Sequence, residues 1–434
     1  MAVPLHDEPL AGRAAALRRG DRDPEDYAAR LLDRIADVDD DLRAMVTECG
    51  REDRIRERIA ELRDRYPDPA DRPPLFGVPV GIKDNMHVDG LETRAGTAVP
   101  PELFAGPEAS CVTRLREAGA IVLGKTVTTG FAGGGPGLTR NPHDLGHTPG
   151  GSSSGSAAGI AAGYFPLALG TQTAGSVNRP AAFCGIRGMK PSFGRIPRDG
   201  VIERSSSADH VGFFAGDVAG LDIAADVLCD EWRGVSDRDD PPTVGVPRGQ
   251  YVAQATDAAR SAFQAQLDRL AAAGCTVERV PVPAFDAIEQ LNRRHHRMTR
   301  AELAFVHESW YDDYRAFYRT PMAEAIEEGR DVPAGDLARA RARGRELRDE
   351  LDDLVDDHSL DCWVSPSATG PAPATIRDTG NPDMNRPWTY AGVPSITLPA
   401  GTAENGLPLG LQLVGGFMED ESLLAVAQQV ATML

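Results

Sequence analysis

Short apolar runs recur along this chain between stretches of helical spacing, and that alternation confines the fold to the α/β class. Residues 75–82, 120–124 and 164–170 read as buried strands, as do 244–246, 275–280, 362–366 and 395–399. Between them the spacing predicts helices, including 109–118, closed by Gly119, and 255–273. Residues 11 to about 66 alternate charged and small apolar side chains and predict surface helices, which places N-terminal helices over 1–70. A catalytic core is expected over 71–230, a charged helical insertion or lid over 285–358, and the rest of the core over 359–434. With 434 residues and no fixed repeat, the chain is read as one large domain, 1–434.

Charge narrows the partners. Acidic residues outnumber basic ones 65 to 46, a formal net charge of −19. Such a surface repels phosphate backbones and anionic lipid heads, so neither nucleic acid nor a membrane is expected as a partner. The longest apolar run, 157–170, is broken by Gly159, Gly163 and Pro166 and is too short to span a bilayer. No signal-peptide pattern is visible, and the six cysteines contain no C-x-x-C pair. Reduced thiols and a cytoplasmic location are therefore expected. Lysine is nearly absent, at Lys83, Lys125 and Lys190 only, while arginine supplies the remaining basic residues. Together with acidic runs such as 37–41 and 352–357, this matches proteins that work in concentrated salt, where screening relieves self-repulsion. Against that background each retained lysine stands out as needed for its amine.

The Gly/Ser-rich run Gly150-Gly151-Ser152-Ser153-Ser154-Gly155-Ser156 precedes small residues able to form a helix. A phosphate cradle is one reading, but no Gly-Lys-Ser/Thr closes the loop. Gly151-Ser152-Ser153-Ser154-Gly155 also fits the G-x-S-x-G elbow with Ser153 as nucleophile, yet a loop precedes it where the elbow needs a strand. His143 and His147 have a metal-like spacing inside a Pro/Gly loop, and adjacent His295 and His296 should diverge on a helix, so no metal site is expected.

A third reading joins distant segments. Leu75-Phe76-Gly77-Val78-Pro79-Val80-Gly81-Ile82-Lys83-Asp84-Asn85, Thr139-Arg140-Asn141-Pro142, the Gly/Ser loop, and Gly175-Ser176 with Arg179-Pro180-Ala181-Ala182-Phe183-Cys184-Gly185 closely resemble the amidase signature family. The likeness continues through Gly188-Met189-Lys190-Pro191, Asp209-His210-Val211-Gly212, Trp388-Thr389-Tyr390-Ala391-Gly392 and Gly410-Leu411-Gln412. It implies a mixed, mostly parallel central sheet flanked by helices. It also implies a Ser-Ser-Lys triad: Ser176 as nucleophile, Ser152 as relay following a cis peptide, and Lys83 as base. Backbone N–H groups of Thr173, Ala174, Gly175 and Ser176 would form the oxyanion hole. Lysine can serve as base only if burial or nearby positive charge keeps it neutral, and the apolar strand leading to Lys83 suits burial. Lys125 and Lys190 are read as structural, contacting loop carbonyls.

The resemblance implies hydrolysis of a small-molecule carboxamide to carboxylate plus ammonia or amine, with no cofactor. Many relatives carry Asp-Thr-Gly-Gly-Ser with an arginine two residues on, whereas Gln172-Thr173-Ala174-Gly175-Ser176 is followed by Arg179. That arrangement is more similar to the branch acting on small amides, including malonamate-type acids, in which Arg179 would grip a substrate carboxylate; alternatively it braces its loop against an acidic neighbour. The rivals are the glutaminase subunit of a transfer-RNA amidotransferase and a non-catalytic binding protein that kept the fold. Self-association as a homodimer is left open.

Overall fold

In the computed structural model, which describes residues 2, 3, 5, 8–133, 135, 137–236 and 238–434, the apolar runs assemble into one ten-stranded sheet. Its strands are β1 (Pro79–Lys83), β2 (Ile121–Thr126), β3 (Leu167–Gln172), β4 (Arg187–Lys190), β5 (His210–Ala215), β6 (Thr243–Arg248), β7 (Thr276–Pro281), β8 (Cys362–Pro366), β9 (Ser395–Thr402) and β10 (Pro408–Val414). They lie in the order β2-β1-β3-β5-β4-β9-β10-β8-β6-β7. Every residue of β1, β2, β3, β5, β8 and β10 is buried, and in β1, β2, β3 and β8 that burial is written in the sequence as a continuous apolar run and not an alternating one. At the rim, β7 is largely exposed and carries Glu278 and Arg279, charges that discourage pairing with another edge.

The sheet is mixed, but the expectation of mostly parallel pairing holds only in its wings. β1 pairs in parallel with β2 and β3, and β6 with β7 and β8. From β3 across β5, β4, β9 and β10 to β8 every pairing is antiparallel. β9 and β10 are joined by the short turn 403–407, as an antiparallel pair can be, while β5 inserts antiparallel between β3 and β4, which run the same way through helix Asn178–Cys184.

Helix Arg51–Arg65 packs on β2, Pro24–Leu42 packs on that helix, and Leu10–Arg19 packs on helix Val218–Leu228, with Leu17, Leu31, Ile35 and Ile59 all in the main core. A second core surrounds Tyr251, Trp363 and Trp388 and joins the sheet to helices Ile288–Val306 and Ala334–Asp357. The result is a single α/β domain. The strand expected over 75–82 begins only at Pro79, because Gly77 turns the chain at φ 72° with Pro24 packed against it. Among the described residues no helix is long and apolar enough to cross a membrane.

Candidate active site

Parallel pairing of β1 with β3, with Ile82 opposite Leu169, brings the carboxyl ends of both strands to one place, where ligand sites of α/β sheets form. Lys83 ends β1, and Thr171 and Gln172 end β3. The Lys83 side chain is wholly buried; its Nζ lies 2.8 Å from Ser152 Oγ and 2.7 Å from Thr171 Oγ1. Burial pushes its pKa down to about 7; Asp209 opposes the fall and Arg204 adds to it. Ser152 follows a cis Gly151–Ser152 peptide, and its carbonyl accepts a bond from Thr129 N at 3.2 Å.

The segment 173–176 between β3 and helix Asn178–Cys184 is held from both sides. Gln172 Oε1 accepts from Val177 N at 2.8 Å and Asn178 N at 3.0 Å, while its amide donates to Asn178 Oδ1 and Thr389 Oγ1 at 2.9 and 3.0 Å. Thr389 Oγ1 donates to Ala174 O at 2.7 Å, and Thr173 Oγ1 to Asp209 Oδ1 at 2.5 Å. A Cβ at Gly175 would stand 2.5 Å from Asn385 Oδ1, so only glycine fits there. Among the described residues no protein group accepts from the N–H of Ala174, Gly175 or Ser176. Unpaired N–H groups beside a serine hydroxyl are suited to receive an oxyanion.

Ser152, Thr173, Ala174, Gly175, Ser176 and Arg179 all line one cleft of about 410 Å³. The Arg179 guanidinium is nonetheless committed: it donates to Gly380 O at 2.5 Å, to Thr379 Oγ1 at 3.2 Å and to Gly151 O, so its partners are loop oxygens and not an acidic side chain. Ser153 does not line the cleft. It is fully buried and exchanges hydrogen bonds with the backbone of Thr171, which removes the basis of the elbow reading. The N–H groups of Gly150 and Gly155 are taken by Thr148 Oγ1 and Val127 O, which removes two of the donors a phosphate cradle would use. His143 faces Cys184 O, and His147 sits 3.3 Å from Asp144. Lys125 contacts Met86 O, Thr93 Oγ1 and Asp84, and Lys190 contacts Val393 O and Pro191 O.

Several lining residues carried no signal in sequence. Arg204, Arg386, His295, His296 and Thr299 reach the cleft from the loop before β5, the segment before β9 and helix Ile288–Val306. The two histidines were expected to diverge; both border the cleft because residues about 100° apart on a helix can flank an opening lying between them. Burial, aided by neighbouring guanidinium groups, keeps both below the ordinary imidazole range.

A buried lysine amine beside a serine hydroxyl, at a cleft lined by a second serine and unpaired backbone donors, is an arrangement suited to acyl transfer. The Amidase family pattern matches residues 26–424. A glutamyl-tRNA(Gln) amidotransferase subunit from Lysinibacillus sphaericus is 31% identical over 468 residues, covering 95% of this chain and 93% of that protein. The subunit of the same name from Roseiflexus castenholzii is also 31% identical, covering 98% and 95%. A crystal structure of an amidase superposes with a TM-score of 0.88 at 30% identity, covering 98% of this chain and 100% of that one. The native peptide amidase from Stenotrophomonas maltophilia gives 0.84 at 27%, covering 98% and 96%. The chain belongs to the Amidase family, the amidase signature family that its motifs resemble.

Proposed function

We propose that this protein hydrolyses a small-molecule carboxamide to a carboxylate and ammonia or an amine, using Ser176, Ser152 and Lys83. Neutral Lys83 takes the Ser152 proton while Ser152 takes that of Ser176, and Ser176 Oγ attacks the carbonyl carbon. Charge developing on the carbonyl oxygen is received by backbone N–H groups of the 173–176 segment. The proton returns through Ser152 to the leaving nitrogen, the C–N bond breaks, and water then hydrolyses the acyl-enzyme through the same groups. The route draws on side chains, backbone N–H groups and water. The observation that carries it is the buried amine of Lys83, poised near neutrality 2.8 Å from a serine hydroxyl with no carboxylate in ion-pair contact among the described residues. In this reading Arg179 braces the loop bearing Ser152 by holding Gly151 and Gly380 together. A cytoplasmic setting fits the charge and free cysteines.

Labelling with a fluorophosphonate tests the proposal: the adduct should map to Ser176 and be absent from Ser176→Ala. An adduct on Ser153, or none on folded protein, overturns it. The names of the curated relatives favour a second reading, a glutaminase subunit that works with partners. The two part on the isolated chain: ammonia from simple amides supports a free-standing amidase, while silence on these with release from glutamine only beside a partner supports the subunit.

A further inference from the structure

Four arginines, Arg179, Arg204, Arg377 and Arg386, line the cleft against one described carboxylate, Asp378. Two of them are occupied. Arg179 holds loop carbonyls, and Arg386 pairs with Asp383 at 3.1 Å and approaches His295. Arg204 is different: among the described residues no hydrogen bond or ion pair engages its guanidinium, and its Nη1 is buried without a partner. The nearby carboxylate of Asp209 is already spent, accepting from Thr173 Oγ1 at 2.5 Å, from Arg204 N at 2.7 Å and from Ser205 N at 3.0 Å. Burial lowers the Arg204 pKa, Asp209 opposes this, and Arg300 and Arg386 add to the fall. A partly buried guanidinium whose buried Nη1 meets no acceptor is costly unless a ligand supplies one.

The position is also built to be rigid. Its backbone is tied to Asp209, and the next residues are tied to buried Glu302 of helix Ile288–Val306, through Ser205 Oγ, Ser207 N at 3.0 Å and Ser207 Oγ at 2.5 Å. Gly133 leaves the space that Arg204 Nη1 fills, since a Cβ there would meet that atom first. A guanidinium carried on a tied backbone, with Nη1 buried and its donors free toward the cleft, matches the planar fork of a carboxylate.

We infer that Arg204 is the carboxylate anchor of this cleft and that the amide taken there carries a carboxylate, on either its acyl or its amine portion. The identity of the scissile bond rests on the amidase reading; the anion site does not. The test is calorimetric binding in a Ser176→Ala background, in molar KCl, where contacts between exposed charges are screened. Malonamate, succinamate and glutaramate are compared with propionamide, butyramide and pentanamide, and N-acetylglycine with N-ethylacetamide; the last pair separates amine-side from acyl-side carboxylates. At least one carboxylated compound should bind tenfold or more tighter than its neutral twin. Adding Arg204→Gln should cut that preference below threefold, and Arg204→Lys should retain part of it. Should Arg204→Gln fail to fold, Gly133→Ala, which crowds Nη1 and keeps the charge, should also weaken the preference. An unchanged preference in the Arg204 and Gly133 variants, or no preference in any compound, overturns the inference. Wild-type protein that releases no ammonia or amine from any of these compounds, with the Arg204-dependent preference intact, would sink the hydrolase reading alone.

Discussion

Burial lowers Lys83 and Lys190 alike, each to about 7, and what separates them is the neighbour each amine meets. Lys190 donates to Val393 O at 2.6 Å and Pro191 O at 3.1 Å, acceptors with no proton to give, whereas Lys83 meets a serine hydroxyl at the cleft. Reactivity is thus a property of the pair. If neutral Lys83 is the base, kcat/KM should fall with unit slope as pH drops through about 7. Asp209 favours the charged amine and Arg204 disfavours it, so Asp209→Asn should move that limb to lower pH and Arg204→Gln to higher pH, by roughly half to one unit each. A profile flat from pH 5.5 to 8.5 would remove Lys83 as the base. Ser176→Ala and Lys83→Ala should each lower turnover by at least about 10³-fold in folded protein, read as ammonia release beside a melting curve. For stability the same buried amine is a cost. Between the folded pKa of about 7 and the ordinary lysine value of 10.5, the unfolded chain binds the extra proton, so Lys83 contributes a cost that shrinks as pH rises. Lys83→Met should therefore abolish turnover and yet raise Tm by a few degrees at pH 7, an increase that fades toward pH 10.

At the scale of elements, the segment 173–176 depends on one side chain that touches no reacting atom. Gln172 spans from the end of β3 to the start of helix Asn178–Cys184 and pairs two N–H groups that the helix itself leaves unsatisfied. Gln172→Ala would orphan both in a buried setting, at a cost of about 2–4 kcal/mol. Turnover should fall at least about tenfold, through kcat more than KM, because the loss is of aim and not of contact; unchanged kcat with a lowered Tm would reduce Gln172 to a stability role. Gln172 was legible as a departure from the Asp found in many relatives, but its purpose was not. The fully buried strands β1, β2, β3 and β8 announced themselves as apolar runs, whereas β4 and β5 did not. Arg187-Gly188-Met189-Lys190 is short and bears charges whose partners include the distant carbonyls Gly216 O and Val393 O. The antiparallel centre was hidden for a related reason, since strand direction is set by pairing and not by local pattern. Lys83, Ser152 and Ser176 could be singled out through motifs, while Thr171, Arg204 and His295 acquire meaning only when the β3 end, the loop before β5 and a helix more than 80 residues further on converge.

For the whole molecule, two electrostatic effects oppose each other as salt is added, and their balance is predictable in sign. Arginine–carboxylate pairs cover the surface, among them Arg56 with Glu52 and Asp53, Arg293 with Glu289, and Arg330 with Asp312; screening weakens each. Pairs this exposed contribute about 0–1 kcal/mol each, so their loss is modest. Against them stands a net charge of −19, whose mutual repulsion acts between every unpaired carboxylate and across the acidic runs 37–41 and 352–357. The Debye length falls from about 10 Å at 0.1 M to about 3 Å at 1 M, shorter than most spacings between unpaired surface charges but comparable to a contact pair. Added salt therefore removes more repulsion than attraction. Tm should rise between 0.1 and 2 M KCl, with most of the gain complete by about 1 M, because electrostatic screening saturates while solvent-exclusion effects continue to grow with concentration. Sucrose at matched water activity should reproduce little of the gain below 1 M. A Tm that is flat or falling over this range would mean that the acidic surface is not an adaptation to salt, and an equal rise in sucrose would assign the effect to exclusion and not to charge.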